Sequence, residues 1–320
     1  MHTIALEEHY ATQALLDARA ENAPFDLGAF GSLDAQLCDL DAGRIAAMDT
    51  AGVDVQVLSL MAPGPEQLEP ADAIAVTRDA NDQLAAAVKR HPTRFAGFAA
   101  LPTPAPEAAA DELERTVRDY GFKGAAINGH TRGRYLDDHI FWPILERAEA
   151  LQVPLYLHPS PPPRVVIEAI YSGFTPQITA LLASGGFGWH VDTALHVLRL
   201  ILSGAFDRYP GLQIVVGHMG ETLPFMLPRF DHGLPIQVTK LARPVSDYLR
   251  GNVHYTFAGF NWTPAFLDLL LQVGVDRIMF STDYPFSSMT AARAFLDQLP
   301  VSPADRERIA HGNAERLLRL

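Results

Sequence analysis

The chain has 320 residues, 48% of them apolar, and carries a net charge of −12. That acidity excludes a general nucleic-acid or anionic-membrane surface, while the length admits two small domains or one large α/β domain. A single cysteine, Cys38, rules out an intrachain disulfide and fits a reducing compartment, so a cytoplasmic protein is expected.

The first residues lack a basic stretch leading into an apolar core, which predicts no signal peptide. The most apolar long stretch, 178–202, is interrupted by His190, Asp192, His196 and Arg199, so no membrane partner is expected. In chain order, residues 3–6 read as a short buried strand that ends abruptly in Glu7-Glu8-His9. Glu7 and His9 lie two apart, so extended backbone aims both side chains the same way. An oxygen and a nitrogen donor converging at a strand end make half of a divalent-metal site. Residues 10–40 mix helical pieces with turn formers, the 28–31 stretch among them, and read as a wall or lid over that strand end.

Beyond this insertion, apolar runs and helical spacing alternate. Strands are expected at 53–60, 95–100, 124–127, 154–157, 212–216, 253–256 and 277–281, and helices at 44–51, 71–89, 107–119, 138–150 and 264–273. Residues 164–205 read as a long helical insertion broken at Gly185-Gly186, and 221–249 as helical with a break at Pro235. Strands alternating with helices imply a parallel sheet, and a count of eight suggests closure into a (β/α)8 TIM barrel with helical insertions, one domain over 1–320. The alternative, an open doubly wound sheet, would show a Gly-rich phosphate turn after its first strand; Glu7-Glu8-His9 stands there instead.

In a barrel the chemistry sits where strands end. Glu7 and His9 follow strand one, His158 ends strand five, His218 ends strand six and Asp283 follows strand eight. All five would face one mouth. Asn128 and His130 follow strand four and are candidates to hydrogen-bond substrate oxygens, and Phe286 and Trp189 are candidates to line an aromatic slot. His91, His139, His196, His254 and His311 sit within helices, turns or a strand and receive no role.

The stretches IALEEH (4–9), VLSLMAPG (57–64), GRYLD (133–137), LHP (157–159), ALHVLRLILSGAFDRYP (194–210), GHMGETLP (217–224) and STDYPF (281–286) together resemble the amidohydrolase superfamily. The similarity is greatest to its metal-dependent γ-resorcylate and 5-carboxyvanillate decarboxylases. Hydrolytic members commonly carry His-x-His after strand one, and binuclear ones a bridging lysine at the end of strand four. Here Glu7-x-His9 and Asn128 occupy those places, with Lys123 ahead of the strand.

The resemblance therefore implies one divalent ion, Mn2+ or Zn2+, held by Glu7, His9, His158 and Asp283, and no organic cofactor. Two ionised carboxylates would neutralise that ion, leaving positions open for the carboxylate and adjacent phenol oxygens of a small aromatic acid. It also implies Asp283 as proton donor to the ring carbon, with His218 beside it, oriented or charged by Glu221. Arg229, eleven residues after His218, resembles the arginine that grips the substrate carboxylate, from its own or a neighbouring subunit. The expected reaction is non-oxidative decarboxylation of a hydroxylated benzoate, reversible in principle. The alternatives are a hydrolase of a C–N or lactone bond, with His218 as base, and a non-catalytic binding protein that holds no metal. A homodimer or homotetramer is expected, with the insertion at 164–205 offering apolar helix surface.

Overall fold

A computed structural model describes residues 1–22 and 33–320. The expected turn formers at 23–31 lie outside the described residues. Among the described residues nine short parallel strands run in chain order: β1 Ile4–Tyr10, β2 Val55–Leu60, β3 Phe95–Gly97, β4 Ala99–Ala100, β5 Ala125–Asn128, β6 Leu155–His158, β7 Ile214–Val216, β8 Val253–Thr256 and β9 Ile278–Met279. They form one sheet of β1 to β3 and another of β4 to β9. The expected third strand is thus split at Phe98, whose N–H donates to Leu58 O at 2.9 Å while Ala99 N turns to Gly124 O, also at 2.9 Å. Counting that split strand once leaves the eight positions of a (β/α)8 barrel. At the other junction Leu6 N donates to Phe280 O at 3.1 Å, and Leu6 and Ser281 form a single parallel bridge.

Alternation along the strands sorts the apolar residues into two layers. Ile4, Leu6, Val57, Ala96, Phe98, Ala126, Tyr156, Val215 and Met279 pack together inside the barrel, with Ala314 and Leu318 of the last helix against them. Their strand neighbours, such as Ala5, Leu58, Ala125, Leu155 and Ile214, face the surrounding helices in a larger core. Both layers are buried, so truncating one of their leucines, isoleucines or methionines to alanine would cost about 2–5 kcal/mol.

β1 departs from the expected boundary. It continues through Glu7-Glu8-His9 to Tyr10, with a register shift between Leu6 and Glu8 that leaves Glu7 as the extra residue of a bulge, at φ 67°. The 164–205 insertion is helical and broken where the glycines stand, between the helices Pro176–Ala183 and Gly188–Leu202. The stretch 221–249 has a second break beyond Pro235. Its helices are Leu223–Gly233, Ile236–Thr239 and Val245–Gly251, because Lys240 turns left-handed and Pro244 starts the last one afresh. Among the described residues no single helix is long and apolar enough to cross a membrane.

Candidate active site

Strict alternation from Ile4 and Leu6 would send Glu7 and His9 outward. The bulge at Glu7 resets the parity, so Leu6 and Glu7 both face inward, Glu8 faces outward and His9 returns to the interior. Glu7 is 1% exposed. Its Oε2 accepts from the Tyr156 hydroxyl and from Thr256 Oγ1, leaving Oε1 turned to His158 Nε2 at 3.3 Å. His9 Nε2 stands 3.2 Å from Asp283 Oδ1, and the His9 and His158 rings meet edge to face at 4.6 Å.

Glu7, His9, His158 and Asp283 each offer a ligand atom, and all four atoms lie within 4.8 Å of one another. Glu7 Oε1 and His9 Nε2 are buried without any hydrogen-bond partner. Orphaned buried acceptors are costly, and a divalent cation would satisfy them together. This donor set, two oxygens and two nitrogens with one carboxylate charge on each side, fits such an ion.

The electrostatics agree. Burial pushes the Glu7 carboxyl up to about 8, against the pull of the nearby His218. That is the cost of an acid in a dry pocket, and a bound cation would reverse it. His158 is held well below the usual imidazole range by burial and by the neighbouring His9 and His218, so it stays neutral and free to donate its lone pair.

His218 stands at the end of β7, on a turn where His218, Met219, Glu221 and Thr222 all have φ between 49° and 69°. A run of left-handed non-glycine residues is strained, and such strain gathers at functional sites. The turn lets Glu221 fold back on His218, with Oε1 2.7 Å from Nδ1. Despite burial, Glu221 and Glu7 raise His218 to about 10, so it carries its proton. Burial would raise Glu221, yet His218 and His190 bring it below its ordinary value. His218 Nε2 faces Glu7 Oε1 at 4.0 Å.

The remaining candidates separate. The Phe286 ring lies against His9 at 5.4 Å. Asn128 is buried in register beside His158, but its N–H and Nδ2 donate to Glu66 Oε1 at 2.8 and 3.2 Å, leaving Oδ1 unpartnered. His130 is turned into its own loop, where its Nδ1 accepts from Gly133 N at 2.9 Å. Arg229 is exposed on the helix Leu223–Gly233 and has no ion pair among the described residues.

Sequence reasoning missed Tyr156, Thr256, His190 and Glu66. Tyr156 was legible in principle, since it shares a strand face with His158 two residues on. His190 and Glu66 reach the site from a helix start and a loop, and no spacing announces them.

A family model described as amidohydrolase matches residues 12–320. The chain belongs to the amidohydrolase family. Among its family relatives, a γ-resorcylate decarboxylase from Polaromonas sp. is 40% identical over 99% of this chain and 98% of its own. A solved dihydroxybenzoic acid decarboxylase from Polaromonas sp., with bound manganese and the inhibitor 2-nitroresorcinol, superposes with a TM-score of 0.91 at 39% identity, covering 100% of this chain and 97% of its own. The 5-carboxyvanillate decarboxylase of Novosphingobium aromaticivorans, complexed with manganese and 4-hydroxy-3-methoxy-5-nitrobenzoic acid, gives 0.91 at 34% identity over 100% and 96%. Within this family, then, full-length relatives of the chain are carboxy-lyases, and the enzyme is a lyase of that kind.

Proposed function

We propose that this amidohydrolase-family chain decarboxylates a hydroxylated benzoate without oxidation, and can run the reaction in reverse. One observation carries the reading: the four-residue cage of Glu7, His9, His158 and Asp283, with His218 Nε2 4.0 Å from Glu7 Oε1 beside it. Relatives of the same fold bind manganese together with hydroxylated nitroaromatic ligands, which supports it.

A single divalent ion, Mn2+ before Zn2+, would supply Lewis-acid stabilisation of phenolate charge and a template for an ortho-hydroxybenzoate. The chain's own residues would do the rest. Asp283, 3.2 Å from His9 Nε2, would take up the proton that the ortho phenol gives up as it binds and pass it to the ring carbon that bears the carboxylate. Protonation there makes the ring the acceptor of the electron pair released as the bond to CO2 breaks, and no organic cofactor is called for. His218, protonated and held by Glu221, offers Nε2–H to a substrate oxygen. Phe286 packs against the ring, while Asn128 Oδ1 accepts from a phenol hydroxyl and His130 shapes the loop beside it.

Arg229 is exposed, and we assign it to the substrate carboxylate of a neighbouring copy in a homodimer or homotetramer. The one cysteine and the acidic surface suit the cytoplasm. A panel of hydroxybenzoates, followed by CO2 release with and without Mn2+, tests the reading. Release that is specific to ortho-hydroxy acids and abolished by a chelator is expected.

A further inference from the structure

We propose that His190 is a positioning residue, one that clamps Glu221 so that Glu221 in turn holds His218 toward the metal cage. The inference rests on the decarboxylase reading for its kinetic arm alone. His190 lies in the first turn of the helix Gly188–Leu202, just past the glycine break. Its Nδ1 is 2.5 Å from Glu221 Oε2 and its Nε2 is 3.1 Å from Gly185 O.

With Glu221 ionised, its Oε2 can only accept, so His190 meets it through a protonated Nδ1, while Nε2 faces the Gly185 carbonyl. His218 takes the other carboxylate oxygen, at 2.7 Å. Glu221, 1% exposed, is thus a buried anion shared between two imidazoles, one per oxygen. Among the described residues it has no other side-chain partner. A buried carboxylate that loses one of two such partners keeps its desolvation cost and gains freedom to turn. Any turn of Glu221 moves the His218 ring, whose far nitrogen faces Glu7.

The same three residues have ligand atoms close enough together to hold a metal. The distances favour protons instead. Two atoms sharing one ion at about 2.0–2.2 Å in a tetrahedral site stand more than about 3 Å apart, whereas 2.5 and 2.7 Å are hydrogen-bond lengths. The clamp also reaches outward. Gly185, Gly186 and Phe187 line a recess of about 730 Å3 together with His218, Phe260 and Trp262. His190 therefore ties the rim of that recess to the catalytic imidazole.

The test compares metal-loaded wild type with His190→Phe, which has no donor, and His190→Asn, whose amide nitrogen reproduces the Nδ1 donor. His190→Phe is expected to lower kcat about 10- to 100-fold with KM little changed, and His190→Asn to restore most of it, the size typical of a residue that orients another. In a Glu221→Gln background, His190→Phe should add less than about a further twofold, since it acts through Glu221. Histidine 15N NMR on the same proteins reads the clamp without turnover. A His190 Nδ1–H hydrogen-bonded to a carboxylate should be seen in wild type, and the His218 ring signals should shift in His190→Phe; that arm stands even if wild type releases no CO2. Unchanged kcat in His190→Phe, an equal loss in His190→Asn, or His218 ring signals unmoved in His190→Phe would overturn the proposal. So would a bound-metal count of two ions per wild-type chain that drops to one in His190→Phe.

Discussion

Glu8 grips Thr282 with both oxygens: Oε1 accepts from the Thr282 backbone N–H at 2.8 Å and Oε2 from its hydroxyl at 2.6 Å. Glu8 lies between the cage residues Glu7 and His9, and Thr282 immediately precedes Asp283. The bond therefore sits behind the cage and sets the distance between its two carboxylates. Gln56 Nε2 adds a third donor at 2.9 Å, and the buried Arg44 braces the assembly through Gln56 Oε1 and His9 O.

Glu8→Ala should leave the barrel folded but weaken metal retention about 10- to 100-fold, as loss of an outer support typically does. Thr282→Val, which removes one of the two bonds, should cost less. Metal titration of both variants checks the order, and unchanged affinity in Glu8→Ala would show that the cage does not depend on this clasp.

Asp283 is expected to serve twice, as a metal ligand and as the proton donor. Asp283→Asn keeps an oxygen for the ion but removes the transferable proton, so kcat should fall by about 10²–10⁴. Substrate binding, followed by the ultraviolet shift of the phenol, should persist. Loss of binding with no effect on the rate of the bound fraction would assign Asp283 to the metal alone.

How much of this was readable beforehand depends on the residue. The barrel and the reactive groups Glu7, His9, His158, His218 and Asp283 come from strand ends, which the chain displays locally, whereas the four-residue ligand set and the His218–Glu221 pair come from the family resemblance. Even so, Glu7 and His9 reach the interior beside Leu6 only through a bulge, and bulges leave no periodic mark. Glu221 meets His218 through a left-handed turn rather than the first turn of a helix, so the three-residue spacing pointed to the right pair by a different geometry. Contacts across distant segments, such as His190 on Glu221 and Asn128 on Glu66, depend on tertiary packing and were not legible.

Glu66 supplies a pH test away from the cage. Burial pushes its carboxyl up from 4.5 to about 7, with the Asn128 N–H only partly offsetting this. The folded chain therefore keeps a proton there that the unfolded chain gives up. Its contribution to stability is full below about 4.5 and is lost as pH rises through about 7, a span worth on the order of 3 kcal/mol. Glu66→Gln lacks that titration, so its melting temperature should gain on wild type as pH is raised across this window. A constant difference between the two would mean that Glu66 is ionised throughout.

The insertion leaves Val165, Ile170, Phe174, Ile178 and Leu181 exposed. Apolar side chains gathered on one segment mark a contact surface. Light scattering at micromolar concentration should give a dimer or tetramer, and Leu181→Asp together with Phe174→Asp should shift it toward monomer. A wild-type monomer would contradict this, and would also leave Arg229 without the neighbouring copy assigned to it.

The most direct measurement loads the purified chain with Mn2+, adds 2,6-dihydroxybenzoate and follows CO2 and 1,3-dihydroxybenzene together. Equal release of the two, lost in His158→Ala and in chelator, is the predicted result. Turnover of a lactone or amide with no CO2 from any hydroxybenzoate would contradict it.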